Sequence, residues 1–103
     1  MEVPVAVAVQ LDFQGATLEQ YDDINERIGL LPGGPPSPQE LFHWVAKTDD
    51  GFRVVDVWES QEAFETFERD KLSPIYAEVG IPHPPEIRFL EIHNYLAGGR
   101  WRM

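Results

Sequence analysis

Two residues of a predicted β-hairpin, His43 and Asp56, form the most promising chemical pair in the sequence. Asp49-Asp50-Gly51 is a strong turn signal between two runs of strand character, Glu40 to Thr48 and Phe52 to Glu59. A hairpin closed at this turn places both side chains on one face, directly opposite or one diagonal step apart. A carboxylate beside an imidazole fixes its tautomer and raises its pKa. We therefore predict a catalytic or ligand-orienting dyad with His43 as base and Asp56 as its partner. The alternative is a half-buried histidine satisfied by a carboxylate for structural reasons.

The other histidines are weaker candidates. His93 follows Glu91 on the same face of one predicted strand, which suggests a metal site shared with His43. The two strands are expected at opposite edges of the sheet, about 14 Å apart, so such a site requires two subunits whose edges meet. His83 lies between two prolines and is predicted to be solvated. We predict no metal and no cofactor.

Regular elements must hold the pair, and alternating apolar residues predict the first of them. Val3 to Phe13 alternates with a period of two, which is typical of a β-strand. Thr17 and Gln20 match a capping box that begins a helix, and Gly29 is placed to end it. The segment 31–38 is rich in proline and glycine. It is predicted to be a loop, either a stiff connector or a flap over a pocket.

A second helix and a last strand follow the hairpin. Ser60 is the predicted cap of this helix, and Ser73-Pro74 is predicted to restart it with a new serine cap. Gly80 ends the helix, Glu86 to Leu96 is the last strand, and residues 97–103 form a short flexible tail. A chain of 103 residues is thus predicted to be a single domain with one core.

The element order β-α-β-β-α-β predicts a ferredoxin-like α+β domain. Right-handed crossovers give a four-stranded antiparallel sheet in the order 4-1-3-2, with both helices on one face. The other face also carries apolar residues, Val55 and Val57 in the third strand and Leu90 and Ile92 in the fourth. A sheet that is apolar on both faces needs two covers, and a second copy related by two-fold symmetry is the simplest second cover. We therefore predict a homodimer.

Composition disfavours several classes of function. The formal net charge of −10 argues against nucleic acid as a partner, because phosphate binding needs clustered Lys and Arg. The sequence has no cysteine, which excludes thiolate nucleophiles and zinc–thiolate sites. The apolar stretch Val3 to Val9 is too short for a membrane span and lacks the basic flank of a signal peptide. We expect a cytoplasmic protein with neither membrane nor nucleic acid as a partner.

The segment Val57-Trp58-Glu59-Ser60-Gln61-Glu62-Ala63-Phe64 carries a family resemblance. A strand ending in Trp-Glu-Ser, followed by a helix opening with x-Glu-Ala-Phe, resembles the dimeric α+β barrel superfamily, and the element order agrees over nearly the whole chain. That superfamily includes antibiotic-biosynthesis monooxygenases and haem-degrading monooxygenases. The haem-degrading branch implies a tryptophan, an iron-ligating histidine and an asparagine. This chain has Phe67, Ala77 and the first-strand residues Val7, Ala8 and Gln10 at those places, so haem degradation is not expected.

The cofactor-free monooxygenase branch implies a different kind of site. In that branch an acidic aromatic phenol is deprotonated and held, and the resulting anion reduces oxygen. Such a site needs a shaped apolar pocket, a base and a few hydrogen-bond donors. By residue type, the candidates for substrate binding in such a site are Phe42, Trp44, Trp58, Tyr76, Phe89, His93 and Tyr95.

The sequence therefore favours a small-molecule enzyme that resembles the cofactor-independent monooxygenases, in the branch of uncharacterised small proteins. It would act on an apolar aromatic or polyketide-like compound by oxygenation or by base-assisted rearrangement. The alternative is a non-catalytic dimer that binds a ligand or is purely structural. A polar dyad that opens into a cavity favours the enzyme, and a filled cavity favours the alternative.

Overall fold

The computed structural model describes residues 6–96 and residue 98 of the chain. Four strands and two helical segments follow one another in the predicted order. The elements are β1 (Val7–Gln14), α1 (Leu18–Ile28), β2 (Glu40–Thr48), β3 (Gly51–Trp58), α2 (Gln61–Phe67), a π-helical turn (Glu68–Leu72), α3 (Ser73–Glu78) and β4 (Glu86–Glu91).

The four strands form one antiparallel sheet in the order β2-β3-β1-β4. This is the predicted order 4-1-3-2 read from the other edge, and it confirms the ferredoxin-like α+β arrangement. Two central strands, β3 and β1, are therefore paired on both sides, whereas β2 and β4 are edges. The backbone of β3 is hydrogen-bonded to a neighbouring strand on each side, so a side chain on β3 has a well-fixed position.

One face of the sheet is covered by the helices, and its inward residues form the core. Alternate residues of β1 are almost fully buried while those between them are half-buried, which is the period expected of a strand with one covered face. Phe64 of α2 is completely buried against this face. The buried core residues of the sheet are Val7, Val9, Leu11, Phe13, Phe52, Val54 and Trp58.

The first helix is capped as the sequence predicts. The Thr17 hydroxyl accepts from the backbone N–H of Gln20, and the Gln20 side chain accepts from the backbone N–H of Thr17. Gly29 ends the helix in the left-handed region, with φ of 95°, where a side chain would be strained. These two ends fix the position of Tyr21, which faces the sheet from the second turn.

The second helix runs on through Ser73 instead of restarting there, so the predicted serine cap is wrong. Ser73 has helical dihedral angles, and its N–H donates to the carbonyl of Glu68, five residues earlier. In a regular α-helix the ring of Pro74 would collide with the carbonyl four residues before it. The wider π-helical turn accommodates the proline without a break. It also places Leu72 over the covered face of the sheet.

The β2–β3 hairpin closes through a two-residue turn, because Thr48 pairs with Gly51. The sequence indicates positive φ at Gly51, but that backbone is not in the left-handed region. Glycine is needed there because a Cβ would lie 1.8 Å from the carbonyl oxygen of Phe13. The close approach of β1 therefore explains why glycine is required at position 51. The register of the hairpin is one that the turn predicts.

The last strand is shorter than predicted. It ends at Glu91, and the chain then leaves the sheet, although the N–H of Ile92 still donates to the carbonyl of Ala6. His93 and Tyr95 are exposed and are not strand residues. The predicted start of β1 at Val3 and nearly all of the predicted 97–103 tail lie outside the described residues.

The open face of the sheet changes from apolar to charged along the strands. Across one end, paired neighbours form an apolar row of Phe42, Val57, Ala8 and Leu90. Phe42 and Leu90 are exposed at 36% and 55%. Four residues further along each strand, the row on the same face is Ala46, Arg53, Asp12 and Glu86. In the described part of the chain, no helix is both long and apolar enough to cross a membrane.

Candidate functional site

A cluster of ionisable side chains lies on the covered face of the sheet, between β2 and β3. His43 pairs directly with Asp56 in the strand register, so the geometric part of the predicted dyad is present. Nδ1 of His43 lies 2.5 Å from Oδ1 of Asp56. Asp56 is only 4% exposed, and its central strand fixes it from both sides.

A third member of the cluster, Glu40, reaches the same ring nitrogen. Its Oε2 lies 3.2 Å from Nδ1 of His43. Regular alternation would place Glu40 on the open face with Phe42, because both are even-numbered. The strand pairing shifts between them, however: Glu40 pairs with Trp58 and Phe42 with Val57. The extra residue is a β-bulge, which turns the carboxylate to the covered face.

The outer atoms of these three side chains are held by further hydrogen bonds. Nε2 of His43 lies 2.5 Å from the hydroxyl oxygen of Tyr21, on α1. The indole N–H of Trp58 donates to Oδ2 of Asp56 over 3.2 Å. The backbone N–H of Ser37 donates to Oε1 of Glu40 over 3.1 Å. Each side chain is thus oriented by a partner on the side away from the common centre.

Burial and mutual charge shift the protonation of the cluster. Burial opposes a charge on His43, but the hydrogen bonds to Asp56 and Glu40 outweigh it and raise the pKa of the ring to about 11. Burial raises the pKa of Glu40 to about 7, and the neighbouring Asp56 charge adds to this effect. At neutral pH the metal-free cluster therefore favours an imidazolium between two carboxyl groups. In that form both ring nitrogens of His43 donate hydrogen bonds.

The cluster opens into a narrow cavity between the sheet and the helices. The interior volume is about 50 Å³, and the empty space is about 470 Å³ when the open mouth is included. An interior of this size has room for a few water molecules. Its walls are otherwise mostly apolar, apart from Asn25 and Tyr76, and the apolar residues come from β1, α1, β3 and the second helix: Leu11, Phe13, Ile24, Ile28, Phe52, Val54, Phe67 and Leu72.

Tyr76 on α3 contributes another polar group to this cavity. Its hydroxyl oxygen is fully buried and has no hydrogen-bond partner among residues 6–96. Burial raises the pKa of this hydroxyl, so it stays protonated and is available as a donor. A buried hydroxyl without a partner costs roughly 1–3 kcal/mol, a cost that a bound oxygen atom would remove.

Three of the residues that the sequence selects for the site meet at this cavity: His43, Asp56 and Tyr76. The other six lie elsewhere. Phe42 and Trp44 are on the open face, because even-numbered residues of β2 beyond the bulge point away from His43. His93 and Tyr95 follow the end of β4 and are exposed.

The remaining two predicted pocket residues belong to the packed core. Trp58 is 1% exposed and packs against Phe64 and Phe67. Phe89 packs edge-on against Phe64. Trp58 still serves the site through its hydrogen bond to Asp56, but neither ring lines the cavity.

Sequence reasoning missed two polar residues of the site, Tyr21 and Glu40. Tyr21 lies on the apolar stripe of α1, where a tyrosine is easily taken for core. The available signal for Tyr21 is its hydroxyl, because a buried hydroxyl needs a polar neighbour. His43, on β2, is that neighbour. Glu40 could not be found by strand alternation, because the bulge reverses its face.

No protein-family model and no curated relative matches the sequence. Solved structures do match the fold. A conserved protein from Methanosarcina mazei Go1 is similar at 10% identity and a TM-score of 0.58, over 84% of this chain and 92% of that one. A mutant of SnoaB, a cofactor-independent oxygenase from Streptomyces nogalater, is similar at 13% identity and a TM-score of 0.56. This match covers 94% of this chain and all of that one.

At these identities the likeness is one of fold. The predicted ferredoxin-like α+β fold is confirmed, because a solved structure of this architecture aligns over 94% of this chain. The chemistry must be argued from the cluster and the cavity of this chain.

Proposed function

We propose that the protein is a small-molecule enzyme of the cofactor-independent oxygenase kind, active as a homodimer in the cytoplasm. Its substrate would be an apolar aromatic or polyketide-like compound with an acidic hydroxyl. The observation that carries the proposal is the polar chain Tyr21–His43–Asp56, which lies in the wall of a mostly apolar cavity. The fold shared with SnoaB is consistent with this activity.

The geometry assigns the roles differently from the sequence. Asp56 holds the ring of His43 at the shorter distance, and Tyr21 occupies its other nitrogen. A ring engaged at both nitrogens is better suited to stabilise a substrate oxyanion than to remove a proton. Glu40, at the longer distance of 3.2 Å, is the carboxylate left to accept that proton. His43 would then act as the cation and Glu40 as the base.

Opening of the cavity is part of this proposal. The interior volume of about 50 Å³ is far smaller than the roughly 300–1,000 Å³ of typical ligand pockets. The segment 31–36, exposed throughout, follows the wall residue Leu30. Gln39, at the other end of this loop, has a positive φ of 69°, which is strained for a non-glycine residue. Outward movement of this loop would admit an aromatic ring.

The open face of the sheet supports the homodimer. The apolar row at one end is a surface that a second copy would cover by two-fold symmetry, and the charged row at the other end would remain in water. Trp44 adds to the apolar end and is 41% exposed. Exposed aromatic and leucine side chains clustered on a sheet face mark an association surface.

The small cavity also favours a second function, a non-catalytic binding or structural dimer. In that case the cluster would either orient a bound ligand without turnover or only position the side chains packed around it. The two functions differ in whether oxygen is consumed.

The test is oxygen uptake by the purified protein with a panel of polycyclic phenols, with products identified by mass spectrometry. We expect uptake that depends on Glu40 and His43, with Glu40→Gln and His43→Gln each reduced at least tenfold. His83→Gln, a change at an exposed histidine, is the matched control. Tight binding of a phenol with no oxygen uptake would support the non-catalytic function instead.

A further inference from the structure

We propose that Glu40, His43 and Asp56 bind one divalent transition-metal ion, with ligand atoms Oε2, Nδ1 and Oδ1. This inference concerns what the cluster holds in the absence of any substrate; a bound ion would occupy the atoms that serve as cation and base in the oxygenase proposal, so the two are alternative uses of one cluster. The ion would take the place of the hydrogen now shared at Nδ1 of His43.

The first argument is the convergence of the three ligand atoms. One atom from each residue lies within 4.8 Å of the others. Around an ion at about 2.1 Å, neighbouring ligand atoms are roughly 3.0–3.5 Å apart. The separation of Nδ1 from Oε2 is already 3.2 Å, and that from Oδ1 is 2.5 Å. Withdrawal of Asp56 by less than about 1 Å would therefore bring its distance from Nδ1 into this range.

The second argument is that the opposite side of each ligand is already held. Metal-binding histidines donate their second ring N–H to an acceptor, and metal-binding carboxylates accept further hydrogen bonds. Here the Tyr21 hydroxyl is placed for the ring, the Trp58 indole for Asp56 and the Ser37 backbone N–H for Glu40. All three ligands thus have the outer partners of a metal site.

The third argument is charge and access. Glu40 and Asp56 are 8% and 4% exposed, and buried carboxylates occur where they are paired or coordinate metals. A doubly charged ion would neutralise both. The three residues also line the cavity, so the remaining coordination positions would face its interior. The Tyr76 hydroxyl, buried there without a partner, would be a donor to whatever occupies them.

The donor set indicates the class of ion. One imidazole nitrogen with two carboxylate oxygens suits Mn²⁺, Fe²⁺ or Zn²⁺. Mg²⁺ prefers oxygen ligands alone and retains its waters, so it should bind far more weakly. A water on a bound transition ion would also become more acidic, which would give the cavity a source of hydroxide.

The test is calorimetric titration of chelator-treated full-length protein with Zn²⁺ and with Mn²⁺, with ion content checked by native mass spectrometry. We expect one ion per chain, and at least tenfold weaker binding in His43→Gln and in Asp56→Asn. His83→Gln is the matched control and should bind as the wild type does, because it removes another of the three histidines of the chain, an exposed one.

A variant with all three ligands intact separates coordination from folding. Trp58→Phe removes the indole donor to Asp56, together with part of the volume of a buried ring, and should weaken Zn²⁺ about tenfold, provided that circular dichroism shows an unchanged fold. The proposal is overturned if the wild type binds neither ion stoichiometrically, or if His43→Gln binds as tightly as the wild type. Because no substrate is used, either result leaves the oxygenase proposal to be decided by oxygen uptake alone.

Discussion

The sheet carries two groups of paired charges on its opposite faces, and they differ in their exposure to water and in the desolvation energy that folding costs them. On the open face, Arg53 donates to Asp12 over 2.6 Å, and the arginine side chain is 43% exposed. The nearby guanidinium keeps the pKa of Asp12 below its usual value. On the covered face, His43 pairs with Asp56 and Glu40 under the helices. The Asp12–Arg53 pair remains hydrated, whereas the cluster of His43, Asp56 and Glu40 is largely removed from water.

The difference indicates which group is retained for function. Exposed ion pairs contribute little, and they are tolerated anywhere on a surface. A buried group of charges costs desolvation energy that an apolar core of the same volume would avoid. Glu40 shows this cost, because its pKa is raised to about 7 instead of lowered by its histidine neighbour. The covered cluster is therefore the part of the molecule where chemistry is expected.

The largest effect is expected from removal of one partner in the buried cluster. Asp56→Ala leaves the indole N–H of Trp58 without an acceptor and takes away the carboxylate nearest His43. Breaking a buried ion pair in this way destabilises by about 3 kcal/mol or more. Urea denaturation should show a lower midpoint. An unchanged midpoint would mean that water already reaches the cluster.

A charge on the apolar row should break the homodimer. Leu90 is 55% exposed in the single chain, so a lysine there is tolerated by the monomer but not by a covered interface. We expect Leu90→Lys to weaken self-association roughly a hundredfold, about 2.7 kcal/mol. Sedimentation equilibrium measures this directly. Glu86→Lys, at the charged end of the same strand and outside the predicted contact, is the matched control and should associate as the wild type does; unchanged self-association of Leu90→Lys would place the interface elsewhere.

Loss of charge at Glu40 should stabilise the protein in a defined pH range. Folding raises the pKa of Glu40 from 4.5 to about 7. The folded wild type keeps a proton that the unfolded chain has released, so its stability falls as pH rises between these values. Glu40→Gln should therefore be more stable than wild type at pH 8, by on the order of 2 kcal/mol, and not at pH 4. Urea denaturation in chelator at both pH values checks this, and an equal difference at both would contradict it.

The smallest effect is expected on the open face. Asp12→Asn removes the charge that pairs with Arg53 but keeps a side chain of the same shape. Since an exposed pair is screened by solvent and salt, the urea midpoint should remain within experimental error. A loss as large as that of Asp56→Ala would remove the distinction between the two faces.

Much of this architecture could be predicted from local sequence signals. The capping box at Thr17, the hairpin turn and the alternation of the strands are local, and the structure confirms them. The opposition of His43 and Asp56 followed from hairpin register alone. The features that could not be predicted depend on departures from regular geometry, namely the bulge that turns Glu40 inward and the π-helical turn that carries the chain past Pro74.

The walls of the cavity were also beyond local signals. Residue type alone predicts that Phe42 and Trp44 line the pocket, but the bulge and the alternation of β2 place them on the open face. Tyr21 reaches His43 from another element, and only the packing of α1 on the sheet brings the two together.

The most direct test of the claim that the cluster serves chemistry and not folding is the stability of the variant Glu40→Gln/His43→Gln/Asp56→Asn, whose amide at position 43 can still bond the Tyr21 hydroxyl. It removes every charge of the cluster while keeping oxygen acceptors for Ser37 and Trp58. Replacement of a complete buried ionic group is often neutral or stabilising. By urea denaturation at pH 7 in chelator, we therefore predict stability within about 1 kcal/mol of the wild type, or above it. A loss of about 3 kcal/mol or more would show that the cluster is a structural part of the core and would contradict the account.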